Sequence, residues 1–74
     1  MALKINVKAR QEMGRKLKEI RERKNLSQDE LAKAVGISSS YAARIERGEE
    51  NPTVKVIENI CKALKIKSSD ILPF

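Results

Sequence analysis

The chain has no histidine and no tryptophan, and its 74 residues include one cysteine, one tyrosine, one phenylalanine, three glycines and two prolines. With no His and with Cys61 alone, a Cys/His zinc site and a disulfide framework within the chain are both excluded. The residue most used for proton transfer is missing, and no paired carboxylates stand out against a pocket, so no catalytic set is expected. Aromatics are too few to build a core, which must come from Ile, Leu, Val and Ala. No apolar run approaches the roughly 20 residues of a membrane span. The opening MALKINVKAR lacks the hydrophobic centre of a signal peptide, so a reducing cytoplasm is the expected location. No metal, cofactor or small-molecule ligand is implied.

What is present is charge and short helical periodicity. The composition is 41% hydrophobic and 35% charged, which is foldable, and the length suits a single domain over residues 1–74. Net charge is +6, and an excess of that sign favours polyanions, either nucleic acid or anionic lipid, between which composition alone does not decide. A membrane-surface role is the weaker of the two because the basic first helix has no Trp/Phe face.

The chain is organised around Gln28–Gly48, QDELAKAVGISSSYAARIERG. Leu31, Ala32 and Val35 mark the inner face of one short helix, about 28–35. Ala42 and Ile45 mark that of a second, about 39–47. Ser27-Gln28-Asp29-Glu30 is a capping box, with Leu26 and Leu31 as a hydrophobic staple. Gly36 ends the first of these helices in the left-handed conformation. Ile37 packs into the turn and Ser38 caps the second helix. Two helices joined by a tight Gly-containing turn make a helix-turn-helix.

The flanks read as support. Residues 1–8 form an arm, alternating through Leu3, Ile5 and Val7, or an extension of the first helix. Ala9, Met13, Leu17 and Ile20 set a helix over about 7–24, in which Gly14 costs roughly 1 kcal/mol against Ala and would let the first turns fray. Gly48 ends the third helix and Pro52 keeps Asn51 out of a helical conformation. Thr53 caps a fourth helix, about 54–64, with Val54, Ile57, Ile60, Cys61 and Leu64 as its stripe and Cys61 an inert core thiol. Ser68 caps a last short helix carrying Ile71 and Leu72. The expected fold is all-α: five helices in a compact, lambda-repressor-like domain.

A helical wheel places Ala42, Ile45 and Glu46 on the inner side of the third helix, and Ser40, Ala43, Arg44 and Arg47 on the outer side. The outer side is short, polar and free of acids, which suits a major groove about 12 Å wide. Gln28 stands at a helix start, where free backbone amides favour a phosphate.

These residues carry a resemblance. Ser27-Gln28-x-Glu30-Leu31-Ala32, Gly36-Ile37-Ser38, Tyr41, Ile45-Glu46-Arg47-Gly48 and Asn51-Pro52-Thr53 resemble, in order and spacing, the phage-repressor (Cro/Xre-type) helix-turn-helix family over roughly residues 13–72. In size and around Tyr41 the chain looks closest to restriction-modification controller proteins. The resemblance implies sequence-specific binding of double-stranded DNA by a small homodimeric transcriptional regulator on a two-fold symmetric operator. It puts Ser39, Ser40 and Arg44 at positions that face base edges. It puts Gln28, Tyr41, Arg47 and Asn51 near phosphates, and Arg21 with Glu46 in an ion pair between the first and third helices. Two departures stand out: Glu49 and Glu50 lie where many relatives are basic, and Ala42 is smaller than usual. Separately, the apolar Ile71, Leu72 and Phe74 suggest that the end of the chain, 68–74, is a dimer interface. The alternative function is a protein-interaction module, antitoxin-like or adaptor, using that same apolar end.

Overall fold

A computed structural model of the chain describes residues 6–73. Four α-helices follow in order: α1 (Val7–Arg23), α2 (Gln28–Val35), α3 (Ser39–Glu46) and α4 (Val54–Leu64). A single 3-10 turn, Ser68–Asp70, stands where a fifth helix was expected. Lys67 is extended at ψ 154° and Pro73 disfavours a helical Leu72, so only residues 68–71 can turn, enough for a single turn. That turn is closed by Asp70, whose Oδ2 accepts from the Lys67 amide at 2.8 Å, rather than by Ser68. The alternation at Leu3 and Ile5 lies outside the described residues.

Each helix starts on a side-chain acceptor. Asn6 Oδ1 takes the Ala9 amide at 2.8 Å, Ser38 Oγ the Tyr41 amide at 3.0 Å and Thr53 Oγ1 the Val56 amide at 3.2 Å. At α2 the box is reciprocal: the Glu30 amide donates to Ser27 Oγ at 3.0 Å, and the Ser27 amide donates to Glu30 Oε1 at 2.8 Å. Those bonds hold the Glu30 carboxyl below its ordinary pKa.

Helix ends are handled by left-handed residues. Gly36 stops α2 at φ 84°. At α3, the Gly48 amide bonds to the Ile45 carbonyl and the Glu49 amide to the Arg44 carbonyl, the two bonds of a Schellman motif. That motif turns the chain back along α3 and brings Glu49 and Glu50 beside its outer face.

The core is one cluster: Met13, Leu17 and Ile20 from α1, Leu31 and Val35 from α2, Ile45 from α3, Ile57, Ile60 and Leu64 from α4, and Ile71. Burial of each such side chain contributes about 1.5–3 kcal/mol. The inner wheel positions of α3 are all buried, Ala42 and Ile45 at 1% exposure and Glu46 at 8%. Gly14 is a packing requirement and not a weak point. A Cβ there would lie 2.5 Å from the Ile45 carbonyl oxygen and 2.8 Å from the Glu46 carbonyl carbon, so α1 and α3 approach this closely only over glycine.

Two expectations at the C-terminal end are corrected. Ile71 is 0% exposed, sealed into the chain's own core, and offers no surface to a partner. Cys61 is only half-buried: it lies on the rim of the core facing a groove, and partial desolvation raises its thiol pKa. Phe74 lies outside the described residues.

Candidate nucleic-acid interface

The site is built by α2, the turn at Gly36 and α3. Ser39 and Ser40 are exposed at the start of α3, and Arg44 and Tyr41 are partly exposed further along it. Arg47 is exposed at its C-cap. Gln28 and Asn51 are half-buried at the edges.

Beneath this face lies a polar network. Arg21 Nε donates to Glu46 Oε2 at 2.6 Å and Nη2 to Oε1 at 3.1 Å, while Nη1 donates to the Leu26 carbonyl at 2.7 Å. The side chains are 9% and 2% exposed, and the bonds to Glu46 hold the Arg21 pKa above its ordinary value. Gln28 Nε2 also donates to Glu46 Oε1, at 3.0 Å. A carboxylate only accepts, so the bond fixes which way the Gln28 amide points. One of its two N–H groups is directed inward, and Gln28 is thereby tied to α3 as well as to its own helix start.

The outer face differs from the acid-free surface the wheel describes, because neighbouring acids fold onto it. Arg44 Nε donates to Glu50 Oε2 at 2.8 Å, and its Cζ lies 5.8 Å from the centroid of the Tyr41 ring. Arg47 meets Glu49 through two bonds, from Nε at 3.0 Å and from Nη2 at 3.1 Å. That pair raises the Arg47 pKa and lowers that of Glu49. Ser39 Oγ donates to Asp29 Oδ1. Burial, together with the Glu50 charge, raises the Tyr41 phenol pKa.

Glu49 and Glu50 stood out in the sequence as a departure, but their pairing with Arg47 and Arg44 was missed, and Gly48 was the signal that could have found it. A glycine one residue past a helix end implies a Schellman turn, which returns the following residues to the last turn of the helix. Charge is accordingly uneven. The segment 39–50 holds two basic and three acidic side chains, net −1, whereas α1 holds seven basic and three acidic, net +4.

Comparison with known proteins places this geometry. The family model described as helix-turn-helix matches residues 17–71. The chain belongs to this phage-repressor-type helix-turn-helix family, whose members are transcriptional regulators. It is 39% identical over 62 residues to the control protein C.BamHI of Bacillus amyloliquefaciens, covering 82% of this chain and 76% of that one. It is 38% identical over 60 residues to the immunity repressor of Bacillus phage phi105, covering 81% of this chain and 42% of the repressor. Among solved structures, the restriction-modification controller protein C.AhdI of Aeromonas hydrophila superimposes with a TM-score of 0.82 at 33% identity, covering 85% of this chain and 96% of that one.

Along α4 lies an apolar groove of about 530 Å³, lined by Val54, Ile57, Glu58, Cys61, Lys62, Ser68 and Leu72, with no residue of α2 or α3 in its lining. Among the described residues, no helix is long and apolar enough to cross a membrane.

Proposed function

We propose that the chain is a sequence-specific double-stranded DNA-binding regulator that acts as a homodimer, with α3 in the major groove. One observation carries the reading. The packed α2–turn–α3 unit leaves Ser39 and Ser40 exposed and Arg44 partly exposed along α3, with Gln28 at the start of α2 bonded to Glu46 of α3. Arg44 is assigned to base edges, with Ser39 and Ser40 as weaker readers. Gln28, Tyr41, Arg47 and Asn51 are assigned to phosphates, which position the domain and carry no sequence information.

Two copies are needed for a two-fold operator. The described residues extend 28 Å at most, shorter than the roughly 34–36 Å between successive major grooves on one DNA face. The groove lined by Val54, Ile57, Cys61 and Leu72 is assigned to the second copy. It is apolar, takes no residue of α3 into its lining and includes Leu72 of the C-terminal end. Ile71 plays no part in it. Occupancy of the operator, set by concentration and dimerisation, is the mechanism of control.

The test is selection of duplexes from a random pool, followed by titration of the selected and a scrambled duplex at fixed salt. A two-fold symmetric site with half-sites one turn apart is the expected result. Failure to bind any duplex at low salt would leave the groove as the functional surface and the protein-interaction reading in its place.

A further inference from the structure

The two arginines of the outer face are held differently by their acids. Glu49 takes Arg47 through Nε and Nη2, across one full edge of the guanidinium. Glu50 takes Arg44 through Nε, at 2.8 Å, while the Tyr41 ring lies under the same guanidinium. A guanidinium is planar, with Nε on its inner side and the Nη1–Nη2 fork at its tip. The fork is what matches the O6 and N7 acceptors of a guanine edge in the major groove. The bond at Nε, with the Tyr41 ring within cation–π range at 5.8 Å, therefore restrains the side chain while leaving the fork at its tip. The carboxylate also offsets the charge of Arg44, which weakens its attraction to phosphates in general.

We infer that Glu50 is a positioning residue for base recognition. It holds Arg44 by Nε so that the fork is presented to guanine, and it lowers sequence-independent binding in the same act. The inference rests on the reading of Arg44 as the base reader. It makes Glu50 and Arg44 one specificity element, with the Tyr41 ring beside the guanidinium. The pair is partly exposed, at 41% and 32% of the two side chains, so substitutions at Glu50 are compatible with the fold.

The experiment compares the parent with Glu50→Gln, Glu50→Ala, Arg44→Ala and the double variant Arg44→Ala/Glu50→Ala. Each is titrated against three duplexes at one salt concentration: the selected operator, a scrambled sequence, and the operator with 7-deazaguanine in place of guanine. Thermal melts confirm that each variant is folded. The expected parent preference for operator over scrambled DNA falls by about fivefold or more in Glu50→Ala, within the range a good bidentate base contact supplies. In the same variant scrambled DNA binds more tightly and sensitivity to 7-deazaguanine shrinks. Glu50→Gln keeps an acceptor for Nε without the charge, so both duplexes bind more tightly and the preference is retained. In the Arg44→Ala background, Glu50→Ala leaves the preference unchanged.

If Glu50→Ala tightens both duplexes by the same factor with 7-deazaguanine sensitivity intact, Glu50 only repels phosphate and the inference is wrong. An equal loss of preference on adding Glu50→Ala to Arg44→Ala would also overturn it, because Glu50 would then act without Arg44. If Arg44→Ala alone leaves the preference intact, the reading of Arg44 fails first and the role of Glu50 falls with it.

Discussion

Arg21 and Glu46, 25 residues apart, join α1 to α3 through two charge-assisted hydrogen bonds of 2.6 and 3.1 Å inside the domain. Removing one partner leaves the other charge buried. Glu46→Ala is therefore expected to destabilise by about 3–5 kcal/mol, comparable to the whole stability of a domain this small. Replacing both, as Arg21→Met with Glu46→Leu, removes the desolvated charges together and should cost less. Urea denaturation of the single and double variants measures the difference. A Glu46→Ala midpoint equal to the parent's would mean that water reaches Arg21 freely.

Gly14→Ala separates local helix propensity from packing. Propensity alone favours Ala by about 1 kcal/mol. Against it stand the backbone carbonyls of Ile45 and Glu46, which cannot rotate away as the end of a flexible side chain would. Overpacking of this kind costs about 1–3 kcal/mol, so net destabilisation is expected. A raised urea midpoint would show that α1 and α3 part without penalty.

Glu30 gives stability an acid limb. Its folded pKa is depressed by the bonds from Ser27, so the stabilisation is present above the ordinary glutamate value of about 4.3. It is lost as pH falls through the folded value below that. Glu30→Gln keeps an acceptor for the Ser27 amide and no longer titrates. Its melting temperature should fall less than the parent's between neutral pH and the acid side of the carboxylate range. Equal slopes would assign the acid limb to other carboxylates, such as Glu49, whose pKa is also lowered.

The second copy is expected on the α4 groove. Val54→Glu places a charge in an apolar lining at a partly exposed position, and Leu72→Glu does so at a side chain that also packs against the core, so Val54→Glu is the cleaner variant. Sedimentation equilibrium at micromolar concentration should then find monomer for the variants and dimer for the parent, with unchanged helical content by circular dichroism. A monomeric parent sinks the assignment of the groove, and dimeric variants place the interface elsewhere.

Local signals carried most of the fold. The capping box at Ser27, the caps at Ser38 and Thr53 and the left-handed Gly36 depend only on neighbours within four residues, and they delimit α2 and α4 as the sequence predicts. The stripe through Met13, Leu17 and Ile20 depends on period alone. What was illegible depends on distance between elements. Period does not reveal that Gly14 faces the backbone of α3, nor that Ile71 reaches back into the core instead of lying on the surface. The pairing of Glu49 and Glu50 with the arginines of α3 was illegible for a related reason. Glu50 reaches Arg44 because the Gly48 turn folds the chain back, and a helical wheel ends where the helix does.

Arg44 and Gln28 should fail in different ways when removed. Arg44 is on the outward side of α3, away from Ala42 and Ile45, with a fork that suits guanine. Gln28 stands at the start of α2 with its amide held by Glu46 at 3.0 Å, and its proposed role is to orient the domain on a phosphate without contacting a base. Arg44→Ala is expected to flatten the preference between operator and scrambled duplex by an amount equivalent to about 1–3 kcal/mol, with sequence-independent binding largely kept. Gln28→Ala is expected to weaken both duplexes by similar factors and leave the preference in place. Gln28→Glu would set a carboxylate against Glu46 and should both weaken binding and lower the melting temperature, which ties the phosphate anchor to the Arg21–Glu46 network beneath it. Each variant is titrated against both duplexes at one fixed salt, since phosphate contacts make every affinity salt-dependent. If Arg44→Ala weakens operator and scrambled DNA equally, Arg44 is a further phosphate contact, and the base reader lies at Ser39, Ser40 or Tyr41.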